Sequence, residues 1–103
     1  MSLALNDTNE YAWLLATCPE AQYRDGAEAV TLAERANELT GGKVPGILDT
    51  LAAAYAENGQ FDKAIQTMQR AIELGEKSGR TTGLSEFRRR LELYRSGKPY
   101  RQQ

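Results

Sequence analysis

The stretch 48–74, LDTLAAAYAENGQFDKAIQTMQRAIEL, decides the fold. Leu48, Leu51, Ala52 and Tyr55 share one helix face, and after Asn58-Gly59 so do Ala64, Ile65, Met68, Ala71 and Ile72. Such stripes can be buried together only if both segments are helical, and the Asn-Gly break between them turns the chain back. A helical hairpin is predicted. Small side chains at Ala52, Ala64 and Ala71 let the two helices approach closely, while Tyr55, Phe61 and Met68 fill the volume left between them.

The order Leu48, Leu51-Ala52, Tyr55, Gly59, Phe61, Ala64, Met68, Ala71 resembles the tetratricopeptide repeat, a helix-turn-helix unit of about 34 residues. The family often has proline five places after Ala71, where this chain has Glu76. The second helix is therefore expected to run on through Gly75 towards Ser78. The resemblance implies an all-α fold, a short α-solenoid of stacked hairpins.

Working outward, a second hairpin precedes the first. Asp7 and Glu10 stand in capping-box spacing before Tyr11, Ala12, Leu14 and Leu15, and Pro19 stops that helix at Thr17 or Cys18. Asp25 and Glu28 repeat the spacing ahead of Ala29, Val30, Ala33, Ala36 and Leu39, and Thr40-Gly41-Gly42 closes the helix. Pro45 suits the first turn of the next helix. Ala29, Ala33, Ala36 and Leu39 precede Ala64, Met68, Ala71 and Leu74 by 35 places, whereas Tyr11, Ala12 and Leu15 precede Leu51, Ala52 and Tyr55 by 40. The first repeat is thus a degenerate copy with a longer turn, CPEAQYRDG, read either as a contact loop or as a neutral insertion.

After Leu74 the glycines of GEKSGRTTG mark a connection, and Leu84, Phe87, Leu91 and Tyr94 then share one side of a last helix. It reads as a capping helix with a polar outer face. The phrase LELYRSGKPYR also resembles the close of bacterial tetratricopeptide proteins. The predicted layout is one domain over 1–103: repeat 1 about 7–40 with a long turn at 18–25, repeat 2 about 45–78, a capping helix about 83–96 and a mobile tail at 97–103.

Composition removes several function classes. Of the 103 residues, 41 % are hydrophobic and 26 % charged, the balance of one small globular domain, and no apolar run approaches the ~20 residues of a membrane span. The N-terminus lacks the basic and apolar regions of a secretory leader, so a cytoplasmic protein is expected over an exported one. With no histidine and a single cysteine, Cys18, the chain holds no Ser-His-Asp triad, no Cys-His dyad and no histidine zinc site. Cys18 is expected to be a structural thiol. No cofactor or metal is expected. Acid-base chemistry by Glu57 and Asp62 is disfavoured, because the turn they flank is solvated. The chain is read as non-enzymatic.

Charge is uneven: residues 1–79 hold 6 basic and 12 acidic side chains, and residues 80–103 hold 7 and 2. One reading is nucleic-acid or anionic-surface contact through Arg88, Arg89, Arg95, Lys98 and Arg101. The other is a solvated cap that neutralises the acidic repeats. Three successive arginines at 88–90 spread around a helix and cannot form one patch, which disfavours nucleic acid.

The resemblance implies a concave groove lined by the first helix of each repeat. Carried over by alignment, its candidates are Asn9, Glu10 and Trp13 with Asp49, Thr50, Ala53 and Ala56. No basic residue is among them, so a clamp for a terminal carboxylate is disfavoured. A basic or mixed apolar protein segment suits Trp13 beside Glu10 and Asp49, through cation-π contact and charge complementarity. Trp13 is equally consistent with packing between helices. Because two repeats leave an apolar face at the N-terminal end, a second copy or further repeats of a longer protein are the alternatives expected to cover it.

Overall fold

A computed structural model of the chain describes residues 5–79 and 83–102. Five α-helices, α1 (Leu5–Thr17), α2 (Gly26–Leu39), α3 (Pro45–Glu57), α4 (Phe61–Lys77) and α5 (Leu84–Arg95), are joined by short turns, and there is no strand among the described residues. Helices next to one another in sequence pack together along the whole chain, and α1 also packs on α3.

Local chemistry sets the ends. The Asp25 carboxylate accepts from the Glu28 amide at 3.1 Å and caps α2, and Pro45 occupies the first turn of α3. At the end of α3 Gly59 takes φ +79°, so that its own amide reaches Ala56 and that of Gln60 reaches Tyr55 at 2.8 Å. The α4 helix continues through Gly75 to Lys77, as the missing proline predicts. One boundary is corrected: Asp7 lies inside α1, which is already helical at Leu5, so Asp7 acts on the helix dipole from the first turn instead of capping it. In the connection before α5, residues 80–82 lie outside the described residues.

The core is built on small residues. Ala12, Ala16, Ala29, Ala33, Ala36, Ala52, Ala54, Ala64 and Ala71 are buried, with Met68 and Tyr94 the largest fully enclosed side chains. All ten residues from Ile47 to Ala56 are buried, so α3 is covered on every side. At Gly26 the start of α2 meets the end of α3 so closely that a β-carbon would lie 2.9 Å from the Asn58 nitrogen and 3.0 Å from the Glu57 carbonyl carbon. Leu39, expected on the buried face of α2, is 70 % exposed, because it sits at the last turn, where the chain leaves the packed face.

The segment after α5 corrects the expectation of a mobile tail. Gly97 (φ +73°) ends α5, and the Lys98 amide donates to Leu93 at 3.0 Å. Residues 99–102 then return to α1, where the Gln102 amide and side chain both donate to Thr17, to its carbonyl and its hydroxyl, each at 2.8 Å. Pro99 and Gly97 prevent helix, and the side chains that follow find polar and aromatic partners on α1, α3 and α5.

Candidate functional site

The first helices of the two hairpins place Trp13 and Asp49 on one face, and α5 lays Arg90 between them. The Arg90 guanidinium donates to Asp49 at 2.6 Å, and its carbon stands 5.0 Å from the centre of the Trp13 ring and 4.5 Å from that of Tyr100. The Trp13 and Tyr100 rings lie 5.7 Å apart, tilted by 36°. Glu86 approaches Arg90 from the outer side at 3.8 Å. Beyond this cluster, Arg101 reaches Glu57 at 2.6 Å, and Glu57 also holds Arg24 of the long turn at 3.3 Å.

Burial makes the cluster electrostatically tense. It pushes the Asp49 carboxyl up to about 6 against the opposing pull of Arg90, so Asp49 is an anion at neutral pH and takes up a proton in mild acid. Burial likewise pushes the Tyr94 phenol well above its ordinary range, with the Asp49 charge adding to the effect. Asn9 Oδ1, Asp49 Oδ1, Arg90 Nε and the Tyr94 hydroxyl are buried with no hydrogen-bond partner among the described residues. Tyr55, on the other side of α3, donates to Glu34 at 2.7 Å and is pushed up to about 12 by burial, with that hydrogen bond adding to the effect.

The predicted groove residues therefore divide. Asn9 and Trp13 are half-buried and Glu10 is exposed, but Asp49, Thr50, Ala53 and Ala56 are all buried. They are not open to a partner as expected: α3 is packed among α1, α2 and α4, and Asp49 lies against Arg90. The cation expected to come from a partner is supplied by the chain itself, as Arg90, with the Tyr100 ring beside it. Arg90, Tyr94, Tyr100 and Gln102 are missing from the residues predicted for the groove. Arg90 had a signal, since it follows Phe87 by three places and precedes Tyr94 by four on the inward side of α5.

The basic residues are dispersed and paired. Arg88 meets Glu76 at 2.6 Å, Arg89 meets Glu86 at 3.2 Å and Arg95 meets Glu92 at 2.6 Å, while Lys98 is exposed. Only the Arg88 pair joins α5 to α4; the other two lie within α5. Cys18 is half-buried, and its carbonyl accepts from Arg24 at 2.7 Å, which ties the long turn back on itself. Glu57 is committed to two arginines, and Asp62 is exposed. Among the described residues no helix is long and apolar enough to cross a membrane, and no group of three or more His, Cys, Asp or Glu is placed to hold a metal ion. Comparison of the chain with family models, curated proteins and solved structures finds no match.

Proposed function

We propose that the chain is a non-catalytic protein-interaction scaffold of the tetratricopeptide type, binding an extended protein segment on the face shared by α1 and α3. The observation that carries this reading is that an extended segment, residues 99–102, already lies there, held by ring stacking, an ion pair and hydrogen bonds to main and side chain. Two hairpins whose first helices pack on each other, followed by a helix against the last, are the layout the sequence resemblance implies. Catalysis is disfavoured because the most perturbed carboxyl, Asp49, is locked against Arg90 beneath the segment. Nucleic-acid binding is disfavoured by the pairing of the arginines on α5.

Peptide-display selection against the full chain, with Trp13→Ala as the control, tests the proposal. Enrichment of a sequence pattern on the parent chain and its loss on the variant is expected, with helical circular dichroism retained by both. Equal enrichment on both proteins would sink the reading.

A further inference from the structure

The resident segment specifies what this face recognises. The Tyr100 ring packs on Trp13 and on the Arg90 guanidinium, Arg101 pairs with Glu57, and Gln102 makes two hydrogen bonds to Thr17. Three neighbouring residues thus meet three different chemistries in order: an aromatic wall backed by a fixed cation, a carboxylate shared with Arg24, and a paired carbonyl and hydroxyl. Each position excludes something. An acidic residue in place of Arg101 faces Glu57, and an aliphatic one in place of Gln102 leaves Thr17 without its side-chain partner.

The segment is also open to solvent on its outer side. None of residues 97–102 is buried, and Gly97 begins it in a left-handed conformation just past the end of α5. The floor beneath it, by contrast, is enclosed: Arg90 and Asp49 keep 13 % and 11 % of their side-chain surface. An enclosed floor under a half-exposed segment is the arrangement of a site whose occupant can leave.

We infer that the α1/α3 face is a recognition site for an extended partner segment of the pattern aromatic–arginine–amide, and that residues 100–102 are a resident copy of that pattern which a partner displaces. The inference rests on the interaction role proposed above and names its ligand class. Because the resident copy is tethered, it competes at an effective concentration of roughly millimolar order. The free protein is therefore self-occupied, and a partner must carry the pattern in a better or multivalent form.

The test uses the full chain carrying Tyr100→Ala, Arg101→Ala and Gln102→Ala together, titrated with the synthetic peptide Gly-Lys-Pro-Tyr-Arg-Gln, residues 97–102. Trp13 is the chain's single tryptophan and lies at the site, so its fluorescence reports occupancy directly. Saturable binding to the variant is expected, with binding to the parent chain weaker by at least about tenfold through competition. The same peptide with alanine for tyrosine and arginine is expected to give no saturable change. No binding to a variant of intact helical circular dichroism, or equal affinity for variant and parent, overturns the inference.

Should the triple variant lose its helicity, the parent chain decides. Saturation transfer from the parent chain to the tyrosine ring of millimolar peptide is expected, and is expected to vanish for the alanine-substituted peptide; no transfer, or equal transfer to both peptides, overturns the inference. If display on the parent chain instead enriches an unrelated pattern that depends on Trp13, the interaction role stands and the ligand class proposed here falls.

Discussion

Helices α1 and α3 read alike at a shift of 40 residues, yet they live in different surroundings. Ala12 and Ala52 are both fully buried, but Tyr11 is 51 % exposed where its counterpart Leu51 is 4 % exposed. Leu14 is 52 % exposed, and its counterpart Ala54 is wholly enclosed. The difference comes from position: α3 packs against α1, α2 and α4, while α1 packs against α2 and α3. A shared sequence register therefore specifies which residues can face a neighbour. How much they stabilise depends on how many neighbours there are.

The sharpest way to break this comparison is to truncate counterparts. Leu51→Ala is expected to lower stability by about 2–5 kcal/mol in urea denaturation, because it removes enclosed methyl groups and leaves a cavity, whereas Tyr11→Ala should cost less than about 1 kcal/mol. Met68→Ala, which gives α4 the residue that α2 carries at Ala33, belongs with the larger losses at about 2–5 kcal/mol. Equal effects at Leu51 and Tyr11 would remove the distinction between the central and the outer helix.

A second contrast lies at Asp49, whose counterpart in α1 is Asn9. The folded chain holds a proton on Asp49 up to about pH 6, against an ordinary value of 3.8, so the folded state binds that proton more tightly than the unfolded state. The stability this contributes is present in acid and is lost as pH rises through about 6. Asp49→Asn removes the titration. Plotted against pH, the stability of the parent chain relative to this variant should fall by about 3 kcal/mol between pH 3 and 7, a shift from 3.8 to about 6 converted at about 1.4 kcal/mol per unit. A flat difference would show that folding leaves the Asp49 carboxyl at its ordinary value, and a rise with pH that Arg90 keeps it ionised.

The smallest contrast concerns the second helices. Asp25 caps α2 with its side chain, while its counterpart at the start of α4, Gln60, makes no side-chain cap. Asp25→Ala should cost about 1 kcal/mol and Gln60→Ala a few tenths, both read from thermal unfolding.

The helices were legible in the sequence because apolar spacing, caps and glycines act within a few residues of one another. Asp25, Gly59, Pro45 and the run through Gly75 all behave as their local chemistry predicts. Trp13 and Asp49 both meet Arg90, although Asp49 is buried and not open to a partner.

Arg90 was legible only as a position on the inward side of α5, its partner was not, and neither were the contacts of the residues after Gly97. Arginine counts as polar in any periodicity, and the burial of Arg90 depends on Asp49, 41 residues earlier. Gln102 finds Thr17 across 85 residues, and Pro99 and Gly97 signal only that helix stops. Such contacts are decided by which distant surface the chain meets, and no local pattern encodes that.

Gly26 has a mechanical consequence. The atoms it faces at the end of α3 are main chain and cannot rotate aside, so any β-carbon at that position becomes a wedge at the pivot between the two hairpins. Helix α2, at 14 residues, is a rod about 21 Å long, and displacing one end of a rod is a rotation. Alanine at position 26 would swing the Leu39 end of α2 about its base. The missing β-carbon thus sets how closely α2 can approach the end of α3.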